Sequence, residues 1–183
     1  LTYTFSLRQE LRFHDSSPVT SEDVRLSLVR WRVAGSTQSD IVRKFTPTDW
    51  LQTPDEATVI ITLQQPLPSL IDLLGQPNLA PYIMPREYAF RQARETVRDV
   101  IGTGPYAHVG WRSGDRVTVE RFRDYVARTE ASTGYAGEQI AWIDRITWID
   151  VNDPALQVST LLSGVVDVID GADLTASVSY THL

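Results

Sequence analysis

The chain has 183 residues, 42% hydrophobic and 22% charged, which is ordinary globular composition with enough length for a sizeable core. Its formal charge of -6 and pI of about 5.0 leave no basic footprint for nucleic acid, and the absence of cysteine excludes disulfides and thiolate metal sites while fitting either an oxidising or a reducing compartment. No run of 18 apolar residues occurs, so the pattern contains no membrane-spanning helix.

Thr2 to Leu7 alternates and predicts a strand with Tyr3 and Phe5 on one face. Leu11 and Phe13 predict a second short strand ending at His14 and Asp15. Pro18 stops it, because proline has no N–H to give a ladder. Thr20 and Asp23 then stand at capping-box spacing, although Asp is a looser fit there than Glu or Gln. The helix they open runs from Ser21 to about Trp31 and sets Val24, Leu28 and Trp31 on one stripe. Gly35 ends that region, and a second helix is expected from Ser39 to Phe45.

Trp50-Leu51, a turn at Pro54-Asp55-Glu56, and Thr58 to Leu63 predict strand, turn, strand. TVIITL is β-branched and apolar, as a central strand should be. Pro66 and Pro68 lead into a short helix, Ser69 to Leu74, closed by Gly75. Pro77 and Pro81 make a loop around Asn78. Pro85 suits the first position of a helix running to about Val97.

Gly102-Thr103-Gly104-Pro105 is a turn. Tyr106 to Trp111, Ser113-Gly114-Asp115 and Val117 to Phe122 then predict a β-hairpin. Ala131 to Glu138 reads as a loop and Ile143 to Val151 as a strand, with Trp148 in the core. Asp153-Pro154 starts a helix over Leu156 to Leu162, and Gly164 ends it. Val165 to Ile169 predicts a buried strand. The mixture is α/β or α+β, in one domain or two small ones.

Candidate chemistry is sparse. Gly102 to Ala107 matches G-x-G-x-x-A, but a dinucleotide loop must open a helix, and here a strand pattern follows. His14-Asp15-Ser16-Ser17 holds the residue types of a nucleophilic triad. Four neighbours in one polar turn are better read as Asp15 and Ser16 bonding nearby N–H groups. His108 and His182 are isolated, and no cluster has metal-ligand spacing. The acidic pairs Asp144/Asp150 and Asp167/Asp170 read as capping or solvated groups. Of the five tryptophans, Trp31 is the best ligand candidate, because it ends a helix beside a loop.

Four segments carry a family resemblance: LRQELRFHDSSPVTSEDV from Leu7, IGTGPY from Ile101, GDRVTVERFRDY from Gly114, and IDRITWIDVNDPALQVSTLLSGVVDVID from Ile143. In order and spacing they resemble the bacterial extracellular solute-binding proteins of family 5, the peptide/nickel type that serve ABC importers. Ser16 stands where the family usually has Gly. If that position needs positive φ, serine costs stability, about 1 kcal/mol.

The resemblance implies a partial type II periplasmic-binding-protein-like fold, first lobe only: an α/β chain made of an α+β subdomain and a mixed-sheet subdomain. Residues 1–98 would be the small subdomain of that lobe and 99–172 part of its main subdomain. Ser177 to Leu183 resembles translated adapter sequence, so 173–183 is expected to be a non-native tail. The N-terminus is expected to be truncated, without its signal peptide.

The implied function is capture of oligopeptides, or a related small solute, in the periplasm or at an anchored extracellular site. Delivery would be to ABC permease subunits by hinge closure near Asp170-Gly171. No catalysis, cofactor, metal or nucleic acid is implied, and membrane association would come only through the transporter or an anchor outside this sequence. Trp31 and Tyr82 lie in or beside the loops that would face the cleft. The alternatives are a ligand-sensing module of a regulator and a hydrolase using the His14/Asp15 turn.

Overall fold

The structure is a computed structural model that describes residues 1–76, 79–90, 99–134 and 136–170. It divides into two compact units, Leu1–His108 with Glu120–Asp144, and Val109–Val119 with Arg145–Leu183.

The first unit is built on three antiparallel strands, β1 (Thr2–Ser6), β2 (Leu51–Asp55) and β3 (Thr58–Thr62), in the order β1-β3-β2. The β-branched run lies in the centre, as its composition predicts, with Tyr3 opposite Ile61 and Phe5 opposite Val59. Val59 and Ile61 point to the buried face. β2 runs on through Pro54 to Asp55, past the expected turn. It does so with an irregular register between Gln52 and Asp55, where proline cannot donate to the ladder. The reversal falls at Glu56-Ala57, shaped by Asp55 Oδ1 accepting the Ala57 N–H at 2.8 Å.

Three helices cover that face: α1 (Ser21–Val33), α2 (Thr37–Phe45) and α3 (Leu70–Gly75). Leu28 and Trp31 of α1, Val42 of α2, and Leu70 and Leu73 of α3 close one core with Trp50, Val59 and Ile61. α1 starts where the capping pattern puts it. The Asp23 carboxylate accepts the Thr20 N–H at 2.8 Å and the Thr20 hydroxyl at 2.6 Å. α2 begins two residues before the expected Ser39, because Ser36 Oγ accepts the Ser39 N–H at 3.1 Å and caps it there. α4 (Arg86–Ala89) has Pro85 at its cap, and residues 91–98 of the longer predicted helix lie outside the described residues.

No strand forms at Leu11 and Phe13. Arg12 makes one isolated bridge to Pro18, and the chain between them doubles back on itself. Glu10 and Ser16 both take left-handed backbone (φ 67°), which breaks the extended run a strand needs.

The hairpin strands β4 (Tyr106–Arg112) and β5 (Arg116–Arg121) join β6 (Arg145–Ile149) in a second sheet, ordered β4-β5-β6. In the second unit, α5 (Pro154–Leu162) starts as its sequence dictates. Asp153 Oδ1 accepts the N–H groups of Ala155 at 2.8 Å and Leu156 at 3.3 Å, and proline stands at the first turn.

Two expectations fail in the second unit. Val165 to Ile169 is not a strand, and Val168 is 79% exposed. A strand exists only where a neighbour takes its N–H and C=O groups, and no described strand does so here. Trp148 is not core: it is 54% exposed, since alternation selects a face but does not supply a layer to cover it.

Candidate functional site

The first three family segments meet at one side chain, His14. Phe13 is buried beneath a tight turn in which its N–H donates to Ser17 O at 2.9 Å and its carbonyl accepts the Ser16 N–H at 2.8 Å. The turn holds Ser16 at φ 67°, the conformation in which glycine is free and serine is strained. Asp15 Oδ1 accepts both the Ser17 hydroxyl (2.6 Å) and the Ser17 N–H (3.0 Å), and those bonds, the hydroxyl's foremost, hold its carboxyl below the usual carboxylate range.

The His14 ring is clamped by the 102–104 backbone. Gly102 N–H donates to Nδ1 at 3.2 Å, and Nε2 lies 3.0 Å from the Gly104 carbonyl. An amide N–H can only donate and a carbonyl can only accept, so a singly protonated ring carries its proton on Nε2. The His14 N–H also donates to Gly102 O at 2.9 Å. A Cβ on Gly102 would stand 3.4 Å from the imidazole Cε1, at ordinary van der Waals contact, so the ring packs directly against this backbone. Phe122 meets the ring edge-on, with centroids 5.1 Å apart, and its N–H donates to Pro105 O at 2.9 Å. Ser16 Oγ reaches Asp124 at 3.4 Å.

Both ring nitrogens are thus occupied by backbone, and among the described residues the Ser16 and Ser17 hydroxyls go to Asp124 and Asp15 instead of the imidazole. Gly102 and Gly104 do not open a helix; a bend leads into β4, so the dinucleotide context is absent. Among the described residues no group of three or more His, Asp or Glu could hold a metal ion.

Trp31 is 8% exposed and packs in the core, with its indole N–H donating to Leu79 O at 2.8 Å. Tyr82 is 68% exposed on the segment that follows. A buried polar ladder that the sequence reading missed holds that segment to α1. Asp23 accepts the Arg86 N–H at 2.8 Å, Ser27 Oγ accepts the Met84 N–H at 3.1 Å, and Trp31 takes Leu79 O. Residues 23, 27 and 31 recur every four positions, so they share a helix face. The available signal was two small polar residues in step with Trp31. Apolar scoring passes over such residues.

A cleft of about 700 Å3 opens elsewhere in the first unit, between the 7–12 segment, Glu56 and Arg86, and neither Trp31 nor Tyr82 lines it. Two of its arginines hold backbone carbonyls. Arg8 donates to Val126 O (3.0 Å) and Ala127 O (3.2 Å), and Arg12 to Ser16 O (2.9 Å).

Over residues 1–180 the chain matches the family described as bacterial extracellular solute-binding proteins, family 5 Middle, and it belongs to that family. One relative is the probable peptide ABC transporter periplasmic-binding protein y4tO of Sinorhizobium fredii, 33% identical over 92% of this chain and 32% of its own length. Among solved structures, the periplasmic binding protein AgaA of A. tumefaciens R10, in complex with agropinic acid, is 30% identical. Its TM-score is 0.70 over 90% of this chain and 31% of that one. DppA of Helicobacter pylori, in complex with the peptide STSA, shares the fold at 19% identity, with a TM-score of 0.76 over 100% of this chain and 37% of its own. The chain therefore spans about a third of the length of the relatives it matches.

Proposed function

We propose that the whole protein is the capture subunit of a peptide-type ABC importer, working in the periplasm, binding without catalysis, and passing its cargo to membrane permease subunits. The observation that carries this reading is the family match over residues 1–180, with three of its sequence motifs converging on His14. Oligopeptides are the favoured cargo. The relative named for peptide transport supports them, as does the GYAGEQIAWIDRITW stretch, which looks most like the peptide branch. A specific observation favours an opine as the second reading, since the AgaA structure holds agropinic acid.

In this reading residues 1–98 form the small subdomain of the first lobe and 99–172 part of its main subdomain. Cargo is gripped between this lobe and another, and contacts made only in the closed form shift the population towards it. The hinge position suggested by sequence, Asp170-Gly171, runs into residues outside those described. Tyr82 is proposed to meet the cargo directly, and Trp31 to contribute by fixing Leu79 and the segment that carries Tyr82.

Calorimetry of the complete gene product against a mixed tri- and tetrapeptide library tests the reading. Binding by peptides, with the 183-residue chain alone binding at least a hundredfold more weakly, is the expected result. Binding of agropinic acid and of no peptide would transfer the assignment to opines. Tight peptide binding by the 183-residue chain alone would overturn the two-lobe mechanism.

A further inference from the structure

We infer that His14 is a proton-sensitive latch: with one ring proton it ties the Gly102–Gly104 backbone to the 13–17 turn, and with two it lets that backbone go. The two ring bonds run in opposite senses. Nδ1 accepts from Gly102 N–H at 3.2 Å, while Nε2–H donates to Gly104 O at 3.0 Å. Neither backbone partner can exchange roles. A second proton, which can go only to Nδ1, replaces its lone pair with an N–H aimed at another N–H. The Gly102 bond is lost and two donors confront each other.

The ring cannot swing away to relieve this without leaving Phe122, which braces its edge. The ionisable groups on the packed segments are Arg12 and Asp15 on the same turn, Asp99 before the loop, and Arg123 and Asp124 beside Phe122. Asp15 is engaged by Ser17, Asp124 receives the Ser16 hydroxyl, and Arg12 is bound to Ser16 O. Release matters beyond the loop, because Pro105 O holds the Phe122 N–H and the 101–104 segment feeds directly into β4.

The test uses the complete gene product, labelled with 15N at histidine and at backbone amides. Near pH 8 the His14 ring should show the Nε2–H tautomer, and the Gly102 amide should be protected from exchange. Between about pH 8 and about pH 5, the window in which imidazoles change charge, that protection, corrected for intrinsic exchange, should fall about tenfold. His14→Asn keeps an acceptor at the Nδ1 position and cannot titrate, so its Gly102 protection should be flat with pH. An Nδ1–H tautomer in the wild type, or parallel pH curves for wild type and His14→Asn, overturns the proposal. If the variant does not fold, the wild-type tautomer and Gly102 protection decide alone. Peptide binding enters none of these readouts, so failure here leaves the transport assignment standing.

Discussion

The first unit buries its apolar stripes, and the second leaves most of its own in the open. In the first, a β-branched strand is flanked by two others and roofed by three helices, so Val59, Ile61, Leu28, Val42 and Leu70 close into one core. In the second, strands and a helix of equally apolar pattern bury only Val158 among their described apolar side chains, while Trp111, Trp148 and Val168 face outward. Periodicity states which face of an element is suited to burial. Whether that face is covered depends on a second layer, and among the described residues only the first unit supplies a full one.

Substitutions can break that contrast. The largest effect is expected in the roofed core: Ile61→Ala, at a side chain 1% exposed, should destabilise the first unit by about 2–5 kcal/mol in urea unfolding. Trp148→Ala removes a larger side chain, yet should destabilise the second unit by no more than about 0.5 kcal/mol in urea unfolding. Equal losses at the two sites would end the contrast.

Asp23→Ala comes next. It removes the cap of α1 and leaves the Arg86 N–H without its acceptor, which together should cost about 2–3 kcal/mol. The 79–86 segment should also become more open to protease than α1 itself. Unchanged cleavage there would show that the polar ladder does not hold the segment.

Gly137→Ala should cost about 1–3 kcal/mol, since φ is 78° and a Cβ would lie 2.2 Å from Ala131 O. A neutral outcome would mean that the 131–138 loop rearranges freely. The smallest effect is a gain. Ser16→Gly relieves left-handed strain of about 1–2 kcal/mol, but loosens the unfolded chain by about 0.4–1 kcal/mol. The net rise in stability should stay below about 1 kcal/mol, and a loss would show that the Ser16–Asp124 contact outweighs the strain.

Much of this was legible in residue order. Thr20 and Asp23 announced α1, Asp153-Pro154 announced α5, and TVIITL announced the central strand, because caps, prolines and β-branching act over a few residues. The departure at Ser16 from the family glycine also pointed to the positive φ found there. The polar ladder of Asp23, Ser27 and Trp31 was not legible. Its partners, Arg86, Met84 and Leu79, are remote in sequence, and backbone acceptors and donors carry no residue signature.

By itself the sequence determined the local elements, the core face of the first sheet and, through four spaced motifs, membership of the family. Only the tertiary structure decided that the Leu11–Phe13 stretch folds back instead of extending and that Val165 to Ile169 finds no ladder. It also decided that the His14 imidazole is closed around the 102–104 backbone. Caps and periodicity are properties of neighbouring residues, whereas burial, strand pairing and a tautomer are set by groups brought close from far along the chain.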